Sequence, residues 1–210
     1  MSDALLKLAT WLSPAFPVGA FSYSHGLEWA IQAGDVTDEA TARAWIQSCL
    51  RYGAARTDAI LLVQTMRDGD IEELDALARA LAPSRERTLE TEAQGGAFSS
   101  TVAEAWIGNA TPRPYPVAVG FAARTHDCPE RETVSLYLHA FVSNLVSAAI
   151  RLVPIGQTEG QRIIAALHSA ISDVTEEALT ASLDDIGGCA IRSDIASMRH
   201  ESQSVRLFRS

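Results

Sequence analysis

The stretch from Pro129 to Val153 constrains this chain most. Val134, Leu138, Phe141, Leu145, Ala149 and Leu152 fall in one row at helical spacing, and Tyr137, Val142, Val146 and Ile150 fall in a second. A helix apolar on more than one face does not sit on a surface, so it belongs in the middle of a bundle. Pro129 reads as its first helical residue, and Pro154 with Gly156 ends it.

The rest of the chain supplies the surrounding helices. Ala42, Trp45, Ile46, Cys49, Leu50 and Gly53 line one face of a helix that Thr37 or Asp38 can cap. Ala59, Leu62 and Met66 extend a similar stripe until D-G-D at 68–70. Ile71, Leu74, Leu77, Ala78 and Leu81 predict the next helix, closed by Pro83. Residues 84–108 open strongly charged and relax through Gly95-Gly96, which predicts a bent or close-packed helix. P-R-P-Y-P at 112–116 lacks amide donors at its prolines and predicts an extended connection. Ile163, Ile164, Leu167 and Ile171 predict another helix. Thr175, Glu176 and Glu177 predict the start of a short further one ending before Gly187-Gly188. No segment alternates with period two. The fold class is all-α, a single-domain bundle of about eight to ten helices over 1–210. A chain of this length buries roughly 70% of its unfolded surface.

Several chemistries are excluded. A net charge of −9 argues against nucleic acid. Lys7 is the only lysine and no G-x-x-x-x-G-K-[ST] run contains it, so there is no P-loop and no Schiff-base lysine is expected. Cys49, Cys128 and Cys189 form no CxxC pair. His25, His126, His139, His168 and His200 show no H-x-x-x-H spacing. H-D-C at 126–128 predicts a turn. His168 reads as packed or exposed beside an apolar face, and His25 with Glu28 as a surface pair. No catalytic residue, metal ligand or cofactor site is expected, and the chain does not read as an enzyme. No run of about 18 apolar residues predicts a membrane span. M-S-D-A-L-L-K-L-A-T-W is a poor signal peptide, so a cytoplasmic location is expected.

Two stretches remain unexplained by packing. L-S-P-A-F-P-V-G-A-F-S-Y-S-H-G-L-E-W, residues 12–29, crowds turn formers with aromatics. Ser13-Pro14 predicts one turn and Pro17 with Gly19 a second. Ser22 or Ser24 can cap a helix holding Leu27, Ala30 and Ile31, with Glu28 near its positive end. At the far end, Ile186–Ser210 carries four arginines and two acids on an otherwise acidic chain. Val205, Leu207 and Phe208 are apolar where fraying is the default, so they dock on the body or on a partner.

P-A-F-P-V-G-A-F-S-Y-S-H-G-L-E resembles the N-terminal signature of the urease accessory protein F (UreF) family. D-I-A-S-M-R-H-E-S-Q-S-V-R-L-F-R-S, Asp194 to Ser210, is similar to its C-terminal signature, and R-L-V-P-I-G-Q, Arg151 to Gln157, to its central helix-ending motif. Phe16 stands where the family usually has leucine, and Val205 where a small hydroxyl residue is common. The resemblance implies an all-helical homodimer without a reaction of its own. It implies binding to the UreD scaffold (UreH in some bacteria), recruitment of the UreG GTPase, docking on apo-urease and help in nickel delivery. An active control of GTP hydrolysis by UreG is the alternative, and a free-standing metalloenzyme or metal store the third reading. Partner contact is expected at Pro14, Phe16, Pro17, Gly19, Phe21, Tyr23, Ser24, Gly26 and Glu28. It is expected also at Met198, Arg199, His200, Glu201, Arg206, Leu207 and Phe208, with 190–210 as a partner-binding tail. Such a protein works through its helical exterior and its two end segments, and no gathering of titratable side chains is expected inside it.

Overall fold

The computed structural model describes residues 3–67, 69–106 and 111–210. Among them lie ten α-helices, two 3-10 turns and no strand. Asp68, within the predicted D-G-D stop, and residues 107–108 of the predicted 84–108 helix fall outside the described residues.

Helix α8 (Glu130–Leu152) runs through the middle, with Val134, Leu138, Val142, Leu145 and Ala149 all buried. Around it pack α2 (Leu27–Gln32), α3 (Glu39–Tyr52), α4 (Ala54–Met66) and α9 (Gln157–Thr180). By length and composition α8 is apolar enough to cross a membrane; here the other helices bury half of that stretch, and Phe141, Ile150 and Leu152 of the two predicted rows are only half-buried. Its start differs from expectation by one position: Pro129 is extended and sits as the N-cap rather than as the first helical residue.

After a short turn, α9 folds back along α8. The Ser135 and Thr175 hydroxyls lie 3.2 Å apart, and Gly160 approaches Ile150. The expected break at Thr175 is absent. Thr175 is buried inside one continuous α9, and its hydroxyl donates to the Ile171 carbonyl at 2.8 Å. A threonine that bonds back one turn needs no helix start, so its capping signal misleads here.

Helix α3 follows its stripe: Ala42, Trp45, Ile46, Cys49 and Leu50 are buried. Asp38 caps it by accepting from the Thr41 amide at 2.9 Å. Helix α4 is buried on most of its circumference, unlike the single stripe expected of it. Leu61 on α4 packs with Leu74 and Ala78 of α5 (Ile71–Ala80) and Val117 of α7 (Tyr115–Thr125), forming a small satellite core.

Helix α6 (Arg85–Ala105) brings charged residues toward the interior. Gly95 lets it lie against the 113–115 backbone, where a Cβ would collide with the Arg113 carbonyl. The proline-rich connection is shorter than expected, because α7 begins at Tyr115 with Pro116 in its first turn. Helix α1 (Asp3–Trp11) lays Trp11 edge-on to Phe98 of α6, and Phe16 lies 5.4 Å from the same ring. Helix α10 (Ile191–His200) then crosses α2 and α6 and leads into the C-terminal segment.

Candidate functional site

The 12–29 stretch folds as a chain of turns. The Phe16 amide donates to the Ser13 carbonyl at 2.9 Å, closing the Ser13-Pro14 turn. The predicted Pro17–Gly19 turn takes a tighter form, with the Val18 amide on the Phe16 carbonyl at 2.8 Å. Residues Ala20–Ser22 form a 3-10 turn, and α2 starts after Gly26. Gly26 has φ 75°, and a Cβ there would lie 2.5 Å from the Ser197 amide nitrogen. Only glycine allows α10 to cross so closely.

That crossing sets the C-terminal segment beside the N-terminal turns. The Arg209 amide donates to the Ser22 carbonyl at 2.7 Å, and the Ser24 amide to a Ser210 main-chain oxygen at 2.8 Å. The Ser24 hydroxyl donates to the same oxygen. Arg151, from the central motif, holds its guanidinium 4.4 Å over the Phe208 ring and donates to the Phe21 carbonyl at 3.0 Å. All three quoted motifs therefore meet at one place, although they lie far apart along the chain.

Beneath this seam runs a buried line of charges. Glu28 accepts from the Leu207 amide at 2.7 Å and from the Phe208 amide at 2.9 Å. Its Oε2 also lies 3.1 Å from His200 Nε2. His200 Nδ1 is 2.6 Å from Glu86 Oε2, and Arg206 donates to Glu86 Oε1 at 2.6 Å. His200 is 0% exposed. Carboxylates only accept, so both contacts are satisfied when both ring nitrogens carry hydrogen, and the four side chains then balance in charge.

A second line continues along α6. Glu90, 1% exposed, faces His25 Nε2 at 3.0 Å and takes a 3.0 Å bond from the Ser210 hydroxyl. Burial raises the Glu90 carboxyl, but the charges of His25 and Arg87, with the hydrogen bonds from His25 and Ser210, outweigh it and hold it at about 2. Arg87 pairs with Asp58 at 2.7 Å, and the Tyr137 hydroxyl donates to the same Asp58 oxygen at 2.9 Å. Burial raises Asp58 despite Arg87, and burial followed by Asp58 raises Tyr137 well above its usual value. A cavity of about 50 Å³ adjoins this line, bordered by His25, Tyr115 and Asn144 among others.

Two expectations are corrected. Titratable side chains do gather inside: Glu28, Glu86, Glu90, Asp58, His25, His200 and Arg87 are all buried. Nor are His25 and Glu28 a surface pair. His25 takes a left-handed φ of 52° and turns to Glu90, while Glu28 turns to the C-terminal segment. The expected partner-contact residues divide in two. Phe16, Tyr23, Ser24, Gly26, Glu28, His200 and Phe208 are buried within this chain. Pro14, Pro17, Phe21, Met198, Arg199, Glu201, Arg206 and Leu207 are exposed, and Gly19 is half-buried. Met198 shares an exposed α10 face with Ile191 and Ile195, which the motif reading passed over. Glu86 and Glu90 were also passed over; their one-turn spacing in a segment read only as charged was the available signal.

Of the three free thiols, Cys49 and Cys128 are buried and Cys189 is exposed. Burial pushes the Cys49 thiol up to about 11. The 126–128 segment is a turn with Asp127 at φ 52° and Cys128 buried. Among the described residues no three metal-ligating side chains converge.

The fold and this site define a class: a helical protein whose internal charges clasp its own C-terminal segment and leave apolar groups exposed beside it. A family model described as UreF matches residues 36–168, between the two outer motifs. The urease accessory protein UreF of Cereibacter sphaeroides strain KD131 is 58% identical over 209 residues, covering 100% of both chains. That of Rhodopseudomonas palustris strain HaA2 is 50% identical, covering 99% of this chain and 94% of its own. That of Bradyrhizobium diazoefficiens is 47% identical, covering 99% and 92%. The chain belongs to the UreF family.

Proposed function

We propose that this chain serves urease maturation as a non-enzymatic adaptor. It acts in the cytoplasm as a homodimer, joins the UreD/UreH scaffold and recruits the UreG GTPase, so that nickel reaches apo-urease. Full-length similarity to proteins named urease accessory protein supports the pathway. The single observation that carries the adaptor reading is the divided tail. Phe208 and Ser210 are locked inside, while Val205 and Leu207 stay 81% and 58% exposed. Apolar groups held in fixed positions at a surface are what a partner helix or loop can bury.

On this reading 190–210 is the partner-binding segment. Met198, Arg199, Glu201, Arg206 and Leu207 touch the partner from it, and Pro14, Pro17 and Phe21 from the neighbouring turns. The buried residues of the two motifs act by holding that surface in place. The test is co-purification with UreD and with UreG of the full chain carrying Met198→Asp and Leu207→Asp. Capture is expected to fall at least tenfold with unchanged thermal unfolding; full-strength capture overturns the assignment. A second reading, control of hydrolysis by UreG, needs an arginine that can reach the nucleotide; Arg199, in the C-terminal motif, is one of several exposed arginines with no ion pair among the described residues. Steady-state hydrolysis by UreG with the native chain and with Arg199→Ala separates the two, since an adaptor leaves the rate unchanged.

A further inference from the structure

Three of the five histidines are engaged inside the fold: His25 with Glu90, His200 with Glu28 and Glu86, and His126 with Lys7. The other two meet each other. His139 on α8 and His168 on α9 place their ring centroids 6.1 Å apart, with planes tilted by 42°. Neither ring has a hydrogen-bond or ion-pair partner among the described residues. Both line an open groove of about 320 Å³ between the two helices, with Ser135, Ser172 and the Arg131–Glu176 ion pair along it. His139 is half-buried and His168 exposed, so the groove is open to ions and water.

The backbones beneath the pair are fixed without its help. Leu138, Leu167 and Ile171 are buried between the helices, and the Ser135 and Thr175 hydroxyls meet farther along. The two helices therefore hold the imidazoles across from each other while the ring nitrogens stay free. An ion ~2.0–2.1 Å from one nitrogen of each ring sets the centroids roughly 5–6 Å apart, close to the 6.1 Å found here.

We propose that His139 and His168 form a two-imidazole site for one divalent cation of the nitrogen-preferring first-row metals, Zn²⁺, Ni²⁺ or Cu²⁺, with water completing the shell. The site goes beyond the adaptor reading and does not depend on it. Burial, and then the facing His168, hold the His139 imidazole below its ordinary pKa. Imidazole ligands favour copper, nickel and zinc over magnesium. Sequence spacing gave no hint of the site, because only the α8–α9 hairpin brings its ligands together.

The test is titration of the full chain with Zn²⁺ alone and Ni²⁺ alone by calorimetry, with Mg²⁺ as control. One saturable equivalent is expected, absent for Mg²⁺. His139→Ala and His168→Ala are each expected to weaken it at least ~10-fold, the lower end of what losing even an outer-shell partner costs. Both side chains lie on the groove surface, so the helical circular dichroism stays unchanged. With Cu²⁺, electron paramagnetic resonance is expected to show two coordinated nitrogens in the native chain and one in each variant. Absence of saturable binding, or binding and spectra unaltered by both substitutions, overturns the proposal. Capture of UreD and UreG by the same variants reads the adaptor function separately.

Discussion

Around α8 the interior is held by area, whereas beneath the C-terminal segment it is held by direction. In the first region, Leu138, Leu145 and Val142 touch apolar neighbours on every side, and no one contact is indispensable. In the second, each carboxylate has named partners at 2.6–3.1 Å. Removing one member strands another charge in a site with little water, which costs more than the bond itself. Area gives the fold its stability. Direction gives one segment its place, and that segment holds Val205 and Leu207 exposed. The contrast implies that damage to the two regions spreads differently.

The largest effect is expected from Phe98→Ala. Phe98 is fully buried among Trp11, Phe16 and Tyr115. The loss is about 3–5 kcal/mol, and it is global. Urea unfolding followed by tryptophan fluorescence and by circular dichroism is expected to shift in step. Transitions that separated would show that this region is not one cooperative unit with the rest.

Next in size is Glu28→Ala, which removes the acceptor of two amides and one face of His200. The cost is about 2–3 kcal/mol, since hydrogen bonds to a charged group are lost. It is expected to be local. Amide exchange at Leu207 and Phe208 rises and protease cleaves within 201–210, while the urea midpoint moves less than for Phe98→Ala. A midpoint shift as large as that of Phe98→Ala, without selective exchange, would erase the distinction between the two interiors.

How much of this was legible beforehand follows the same division. Periodicity revealed α3 and α8 because burial by area repeats along a helix. It missed the continuity of α9, since Thr175 bonds within its own helix in a way that mimics a cap. The directional region was nearly invisible. Glu28 and His200 sit at opposite ends of the chain, and no local pattern joins a carboxylate to an imidazole across that distance. The motif reading found both residues but placed them on a surface. His25 stood beside Glu28 in sequence, yet its left-handed backbone turned it to Glu90 instead.

Acid provides a milder probe. The folded Glu90 carboxyl ionises at about 2 against an ordinary 4.5. Its contribution is therefore complete above about 4.5 and drains away as pH falls toward about 2. Asp58, raised by burial, works in the opposite sense and offsets part of the loss. Glu90→Gln is expected to lower stability at neutral pH and to flatten the acid limb. Urea midpoints at neutral pH, at about 4.5 and at about 3 check this. Equal acid slopes in the two proteins would remove Glu90 from the account.

The smallest effect tests whether direction matters apart from burial. Arg162 donates to Glu39 at 2.8 Å and to Glu159 at 3.1 Å, distances like those beneath the C-terminal segment. All three side chains, however, are at least one-third exposed. Water solvates each ion when its partner is removed, so nothing is left stranded. Arg162→Ala is expected to lower the urea midpoint only slightly, the smallest shift of the series. Nearly all of that shift should vanish at about 1 M salt, where the screening length is ~3 Å. Glu28→Ala should keep its local effect under the same salt, because ions do not reach the buried line. If salt abolished both effects alike, the clasp would be an ordinary surface network, and its hold on the tail would owe nothing to burial.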